Sequence, residues 1–74
     1  MAEGDTSYYY MRVGKKIRAE RQKQDIGLRP FALMSGLDFA EISKIENGKA
    51  NPTLKTMIKL ANSLDVDLGC FFEK

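Results

Sequence analysis

The residues with the clearest chemical use run from Asp38 to Lys49, Asp-Phe-Ala-Glu-Ile-Ser-Lys-Ile-Glu-Asn-Gly-Lys. At about 100° per residue, Ile42 and Ile45 share one side of a helix, with Glu41 and Glu46 flanking them. The opposite side carries Ala40, Ser43, Lys44 and Asn47, with Phe39 on its border. That outer side is small, polar and free of acids. A helix entering a DNA groove needs this distribution, since a carboxylate facing phosphates would repel them. From the wheel alone, an ordinary amphipathic helix with a solvated outer face is the simpler reading.

Both ends of this helix are marked in the sequence. Asp38 is an N-cap whose carboxylate accepts the free amide hydrogens of the first turn, and Glu41 is spaced to reach back in a capping box. Leu37 and Ile42 have the spacing of a hydrophobic staple. Asn47-Gly48 supplies a left-handed residue, and Asn51-Pro52 blocks resumption of the helix.

The flanking elements must hold this helix in place. A first helix is expected from about Arg12 to Gln24, with Val13, Ile17 and Gln24 on one seam and Arg21 at its edge. An arginine beside an apolar seam needs a partner. Glu46, at the edge of the inner face of the central helix, is the candidate for an ion pair with a structural role. Helix 2 is expected over about Leu28 to Met34, weakly capped by Gly27, with Pro30 tolerated in its first turn and Phe31 and Ala32 inward. Ser35-Gly36 then turns the chain into the central helix, making a helix-turn-helix. Thr53 can cap helix 4, where Leu54, Met57, Ile58, Ala61 and Leu64 give helical spacing with Leu60 beside them. Asp67 can cap a last short helix with Leu68, Phe71 and Phe72. Two adjacent phenylalanines do not fit one small core easily, so this segment is a candidate dimer interface.

The 74 residues form one domain near the lower size limit for an unaided core. A hydrophobic fraction of 43% argues for a folded chain. Residues 1–11 are expected as a flexible arm and 12–74 as the folded body. Tyr8, Tyr9 and Tyr10 should pack on that body through their aromatic area, in preference to forming an interfacial strand or arm, and a partly vector-derived prefix is an open alternative. With no histidine and only Cys70, a Cys/His zinc site within one chain is excluded and neither a metal nor a cofactor is expected. Cys70 reads as a small hydrophobe. No His-based triad and no acid pair stands out, so an enzyme is not expected. No apolar run reaches membrane-span length and no signal-peptide pattern opens the chain, which makes a reduced cytoplasmic setting the expectation. Net charge is +2, from 12 basic and 10 acidic residues. The bases cluster, with Arg12, Lys15, Lys16, Arg18, Arg21 and Lys23 against Glu20 alone, so an anionic partner on the helix-1 side competes with a merely solvated basic helix.

The chain resembles the phage-repressor/Cro-like (XRE-type) helix-turn-helix family of DNA-binding proteins. The resemblance rests on Val-Gly-Lys-Lys-Ile-Arg at 13–18, Arg21, Ala32 and Ser-Gly-Leu at 35–37. It continues through Ile-Ser-Lys-Ile-Glu-Asn-Gly-Lys at 42–49, Asn-Pro-Thr-Leu at 51–54 and Leu-Ala-Asn-Ser-Leu-Asp-Val at 60–66. It implies an all-α fold, a compact five-helix repressor-like domain whose third helix enters the major groove of double-stranded DNA, often as a homodimer. It also implies base reading by Phe39, Ala40 and Lys44, with Ser43, Asn47 and Lys49 near phosphates. The implied function is a repressor-like transcriptional regulator. Two departures stand out: Gly27 and Leu28 replace the family's capping Ser or Thr and its phosphate-binding Gln, and Leu33 and Met34 replace residues that are commonly charged. Leu28, Leu33, Met34 and Phe39 therefore motivate a second expectation, a protein-interaction or antitoxin-like module on the same fold.

Overall fold

A computed structural model describes residues 6–73. Helix α1 spans Thr6–Lys23, α2 Leu28–Ser35, α3 Phe39–Glu46 and α4 Leu54–Leu64, and a 3-10 turn covers Leu68–Phe72. Among the described residues there is no strand. The all-α expectation holds, but the architecture is four α-helices and a 3-10 turn, not five helices. The last segment is too short to become an α-helix. Asp67 accepts from the Gly69 amide at 2.9 Å, the Cys70 amide bonds to the Asp67 carbonyl at 2.9 Å, and the backbone is extended again at Glu73.

Helix α1 begins at Thr6 rather than near Arg12, so residues 6–11, expected within a flexible arm, are helical. The rest of that arm, residues 1–5, lies outside the described residues. Of the three tyrosines expected to pack on the body, Tyr10 is half-buried, beside Val13, Ile45 and Met57, whereas Tyr8 and Tyr9 stay about half exposed and meet each other edge-on with ring centres 5.1 Å apart. The glycine in the middle of α1 has a steric reason. A Cβ on Gly14 would collide with the Ile45 carbonyl oxygen and lie 2.8 Å from that of Glu46, so α1 crosses the end of α3 almost backbone to backbone.

Caps set the other boundaries. Gly36, left-handed at φ 72°, ends α2 by donating its amide to the Ala32 carbonyl, and the buried Ser35 hydroxyl donates to the Phe31 carbonyl at 2.8 Å. Thr53 Oγ1 caps α4 by accepting from the Thr56 amide at 3.1 Å. Helix α4 closes on Asp65, also left-handed.

The core joins Ile17 of α1, Phe31 of α2, Ile42 and Ile45 of α3, Met57, Leu60, Ala61 and Leu64 of α4, and Phe71. Val13, Ile26, Leu28, Ala32, Leu37, Ala50, Val66 and Leu68 pack around it. Two expectations are corrected here. Leu54 and Ile58 are 61% and 42% exposed, because α4 turns the Met57, Leu60, Ala61 and Leu64 side inward. Phe71 is 1% exposed and belongs to the core, which removes it from any dimer surface, whereas Phe72 is 56% exposed. A 3-10 turn repeats every three residues, so Leu68 and Phe71 face the body together while Phe72 points out.

Candidate nucleic-acid interface

Helix α3 is fixed from its inner side. Ile42, Ile45 and Glu46 are buried. Glu46 is held by α1 through three bonds: Arg21 Nε donates to Oε2 at 2.7 Å, Arg21 Nη2 to Oε1 at 2.9 Å, and Arg18 Nε to Oε1 at 3.3 Å. Arg21 Nη1 also donates to the Ile26 carbonyl at 2.8 Å, so the guanidinium ties α3 to the loop before α2. A two-pronged pair of this kind fixes orientation as well as distance.

Asp38 caps the start of α3, its Oδ2 accepting from the Ala40 amide at 3.1 Å. The reciprocal half of the expected capping box is missing. Among the described residues no bond joins Glu41 to the Asp38 amide, and Glu41 is exposed instead of lying beside the core. In the first turn its charge still complements the helix dipole. At the far end Gly48 takes the left-handed conformation, φ 72°, and a Cβ there would lie 2.8 Å from Met11 Cα. The Lys49 amide donates to the Lys44 carbonyl at 2.8 Å, which ties the chain after Gly48 back to the last turn of the helix.

Of the residues expected to face a nucleic acid, Phe39, Ala40, Lys44, Asn47 and Lys49 are exposed and Ser43 is half-buried. Asn47 is the most constrained of them. Its Oδ1 accepts from Arg18 Nη2 at 3.1 Å and its Nδ2 donates to the Ser43 carbonyl at 2.8 Å, leaving one Nδ2 hydrogen for another acceptor. The basic run on α1 is less available than its charge count suggests. Arg18 and Arg21 are spent on Glu46, Arg12 Nη2 donates to the Glu73 carbonyl at 3.4 Å, and Lys23 lies 3.7 Å from Glu20. Lys15 remains exposed on this helix.

Gly27 begins α2 without a side-chain cap. Leu28 packs on the core, while Leu33 and Met34 are 85% and 53% exposed. The four apolar residues expected to form one patch are thus divided, with Leu28 turned inward and one face of the Phe39 ring covered. The covering group is Arg29, whose Cζ lies 4.6 Å from the ring centre. No local pattern announces this contact, because it depends on how α2 crosses α3. Elsewhere, Cys70 Sγ donates to Glu20 Oε2 at 3.8 Å. Desolvation by burial, then the Glu20 charge, push the thiol above its ordinary range. Among the described residues no group of three or more side chains could hold a metal ion, and no helix is long and apolar enough to cross a membrane.

A short helix set behind a tight turn from α2 and anchored by a buried ion pair is a helix-turn-helix arrangement. A family model described as helix-turn-helix matches residues 17–69, and the chain belongs to that family, HTH_3. Over 61 residues it is 36% identical to the HTH-type transcriptional regulator PuuR of Escherichia coli (strain K12), covering 82% of this chain and 33% of that protein. Over 62 residues it is 31% identical to the uncharacterized HTH-type transcriptional regulator y4dL of Sinorhizobium fredii, covering 84% of this chain and 32% of that one. The chain thus spans about a third of the length of these relatives. In structure it is similar to the restriction-modification controller protein C.AhdI of Aeromonas hydrophila. That match has a TM-score of 0.83 at 28% identity and covers 85% of this chain and 96% of the other.

Proposed function

We propose that this chain is a DNA-binding transcriptional regulator of the repressor kind, acting in the cytoplasm by noncovalent occupancy of a promoter. The four helices from α1 to α4 with the 3-10 turn are its DNA-binding body, with α3 in the major groove. The observation that carries this reading is the outward side of α3. Ala40, Lys44, Asn47 and Lys49 are exposed on a helix whose opposite side is buried. Phe39 and Ala40 meet thymine methyls, and Lys44 donates to guanine acceptors. Ser43, the remaining hydrogen of Asn47, and Lys49 face phosphates. Arg21 and Glu46 take no part in contact and keep the helix at its angle. A second copy, meeting the first through Phe72 and the rim of Leu68, places two such helices about 34 Å apart, one turn of the duplex.

A titration of labelled duplex at rising salt tests the reading. Between about 50 and 200 mM salt, affinity should fall by about two orders of magnitude or more, as expected for four or more neutralised phosphates. Salt-insensitive binding, or none at low salt, refutes it. The exposure of Leu33 and Met34 favours a second reading, in which α2 also docks a protein partner. Leu33→Glu should then abolish that association while duplex binding survives.

A further inference from the structure

The N-terminal turn of a recognition helix is the part that meets base edges. In this chain that turn holds Phe39 and Ala40, whose side chains cannot hydrogen-bond, and the exposed Glu41, whose carboxylate accepts rather than donates, while Gly27 and Leu28 at the start of α2 add no polar side chain. The missing donor is supplied from α2. Arg29 is exposed, makes no ion pair among the described residues, and holds its guanidinium 4.6 Å from the centre of the Phe39 ring. A cation over a ring is held by the ring's negative face, and among the described residues the Arg29 N–H groups meet no acceptor, so they are free to donate.

We infer that Arg29 and Phe39 act as one unit that reads a thymine–guanine step, with Phe39 contacting the thymine methyl and Arg29 donating to O6 and N7 of the neighbouring guanine. This rests on the DNA-binding reading above and names the groups that give it sequence preference. The ring has two tasks: it fills the space beside the methyl, and it holds a long flexible side chain against the start of α3, where a bidentate contact to the neighbouring base is in reach. Lys44, a turn further along α3, contributes a separate cation.

The test uses duplexes recovered by the wild-type chain from a random pool, then remade with uracil for the thymine or 7-deazaguanine for the guanine. Wild type should lose about tenfold in affinity to each replacement. Arg29→Ala should bind the recovered duplex about tenfold more weakly and become indifferent to 7-deazaguanine, while still sensing uracil. Phe39→Ala should become indifferent to both. If Arg29→Ala weakens recovered and unselected duplexes equally, the arginine contacts phosphate and the inference is overturned. Unchanged affinity in Arg29→Ala overturns it as well. If Lys44→Ala loses duplex preference while Arg29→Ala keeps it, the Arg29 assignment falls and the DNA-binding reading stands. Failure of the wild-type chain to bind any duplex at low salt removes both.

Discussion

Replacing Glu46 by alanine should cost this domain a large share of its stability, for reasons that can be worked from the buried pair. The Glu46 side chain has no exposed area, and it neutralises an Arg21 side chain that is 10% exposed. Without the carboxylate, Arg21 retains only the Ile26 carbonyl as an acceptor, and a buried cation is left uncompensated. Removing one partner of a buried pair costs about 3–5 kcal/mol. A chain of 74 residues has a total stability of about 4–11 kcal/mol. At about 4–8 °C per kcal/mol for a domain this small, the melting temperature should drop by between about 12 and 40 °C.

Thermal melts followed by far-ultraviolet circular dichroism would measure the drop, and urea midpoints at constant slope would show that it is stability that changed. The informative control removes both charges. Arg21→Met with Glu46→Leu deletes the pair together with the uncompensated cation, and the partly exposed Arg18 can turn to water. That double variant should lie within about 1 kcal/mol of wild type or above it. A Glu46→Ala protein that melts with wild type refutes the argument. A double variant as unstable as the single one also refutes it, because the loss then comes from packing and not from an orphaned charge.

Gly14→Ala should destabilise by about 1–3 kcal/mol in a urea titration, although alanine is the better helix former by about 1 kcal/mol. The new methyl has no room against the Ile45 and Glu46 carbonyls. Lys49→Ala should weaken binding to all duplexes alike and reduce the salt slope by about 1, measured by fluorescence anisotropy at several salt concentrations. Lys44→Ala should instead cost about 1–3 kcal/mol on recovered sites and relax preference at one position, read by repeating the selection. Cys70, with its thiol pushed up by desolvation and by Glu20, holds less thiolate than an ordinary cysteine at mildly alkaline pH. It should therefore alkylate more slowly than a cysteine in a short peptide and accelerate as pH rises, and Glu20→Gln should shift that rise to lower pH.

Local chemistry made the middle of the chain legible. Asp38, Thr53, Gly36 and Gly48 mark helix ends through bonds within a few residues, so α2, α3 and α4 could be placed from residue types alone. The pairing of Arg21 with Glu46 followed from charge beside an apolar seam, because such charges need partners. The start of α1 was not legible, since nothing between Thr6 and Arg12 marks a boundary and three tyrosines suit a helix or a packed arm equally. On α4, apolar residues at 54, 57, 58, 60, 61 and 64 allow two overlapping stripes. Contact with α2, α1 and the 3-10 turn decides which one is buried. Residue types did not say which of Phe71 and Phe72 would be buried, because a 3-10 turn sorts side chains by three and puts Phe71 in the core with Leu68 at its edge. The Arg29–Phe39 contact spans a turn between two helices and has no periodic signature at all.

The length of α3 explains why so much of the chain serves its placement. Eight residues are too few for a helix to persist in water, where isolated helices below about 12–15 residues are marginal. Its order must therefore come from tertiary contacts. Those contacts enter largely from α1, through Gly14 against its last carbonyls, Arg21 on Glu46, and Arg18 on both Glu46 and Asn47. The turn from α2 sets where α3 begins, but α1 sets its tilt. Substitutions at Gly14 or Arg18 should accordingly alter duplex affinity without touching the duplex, because a small change in tilt moves Lys44 and the Phe39 ring relative to any base edge they meet. The pair of helices that gives the family its name is thus not self-sufficient here, and α1 supplies the rigidity that an eight-residue helix lacks.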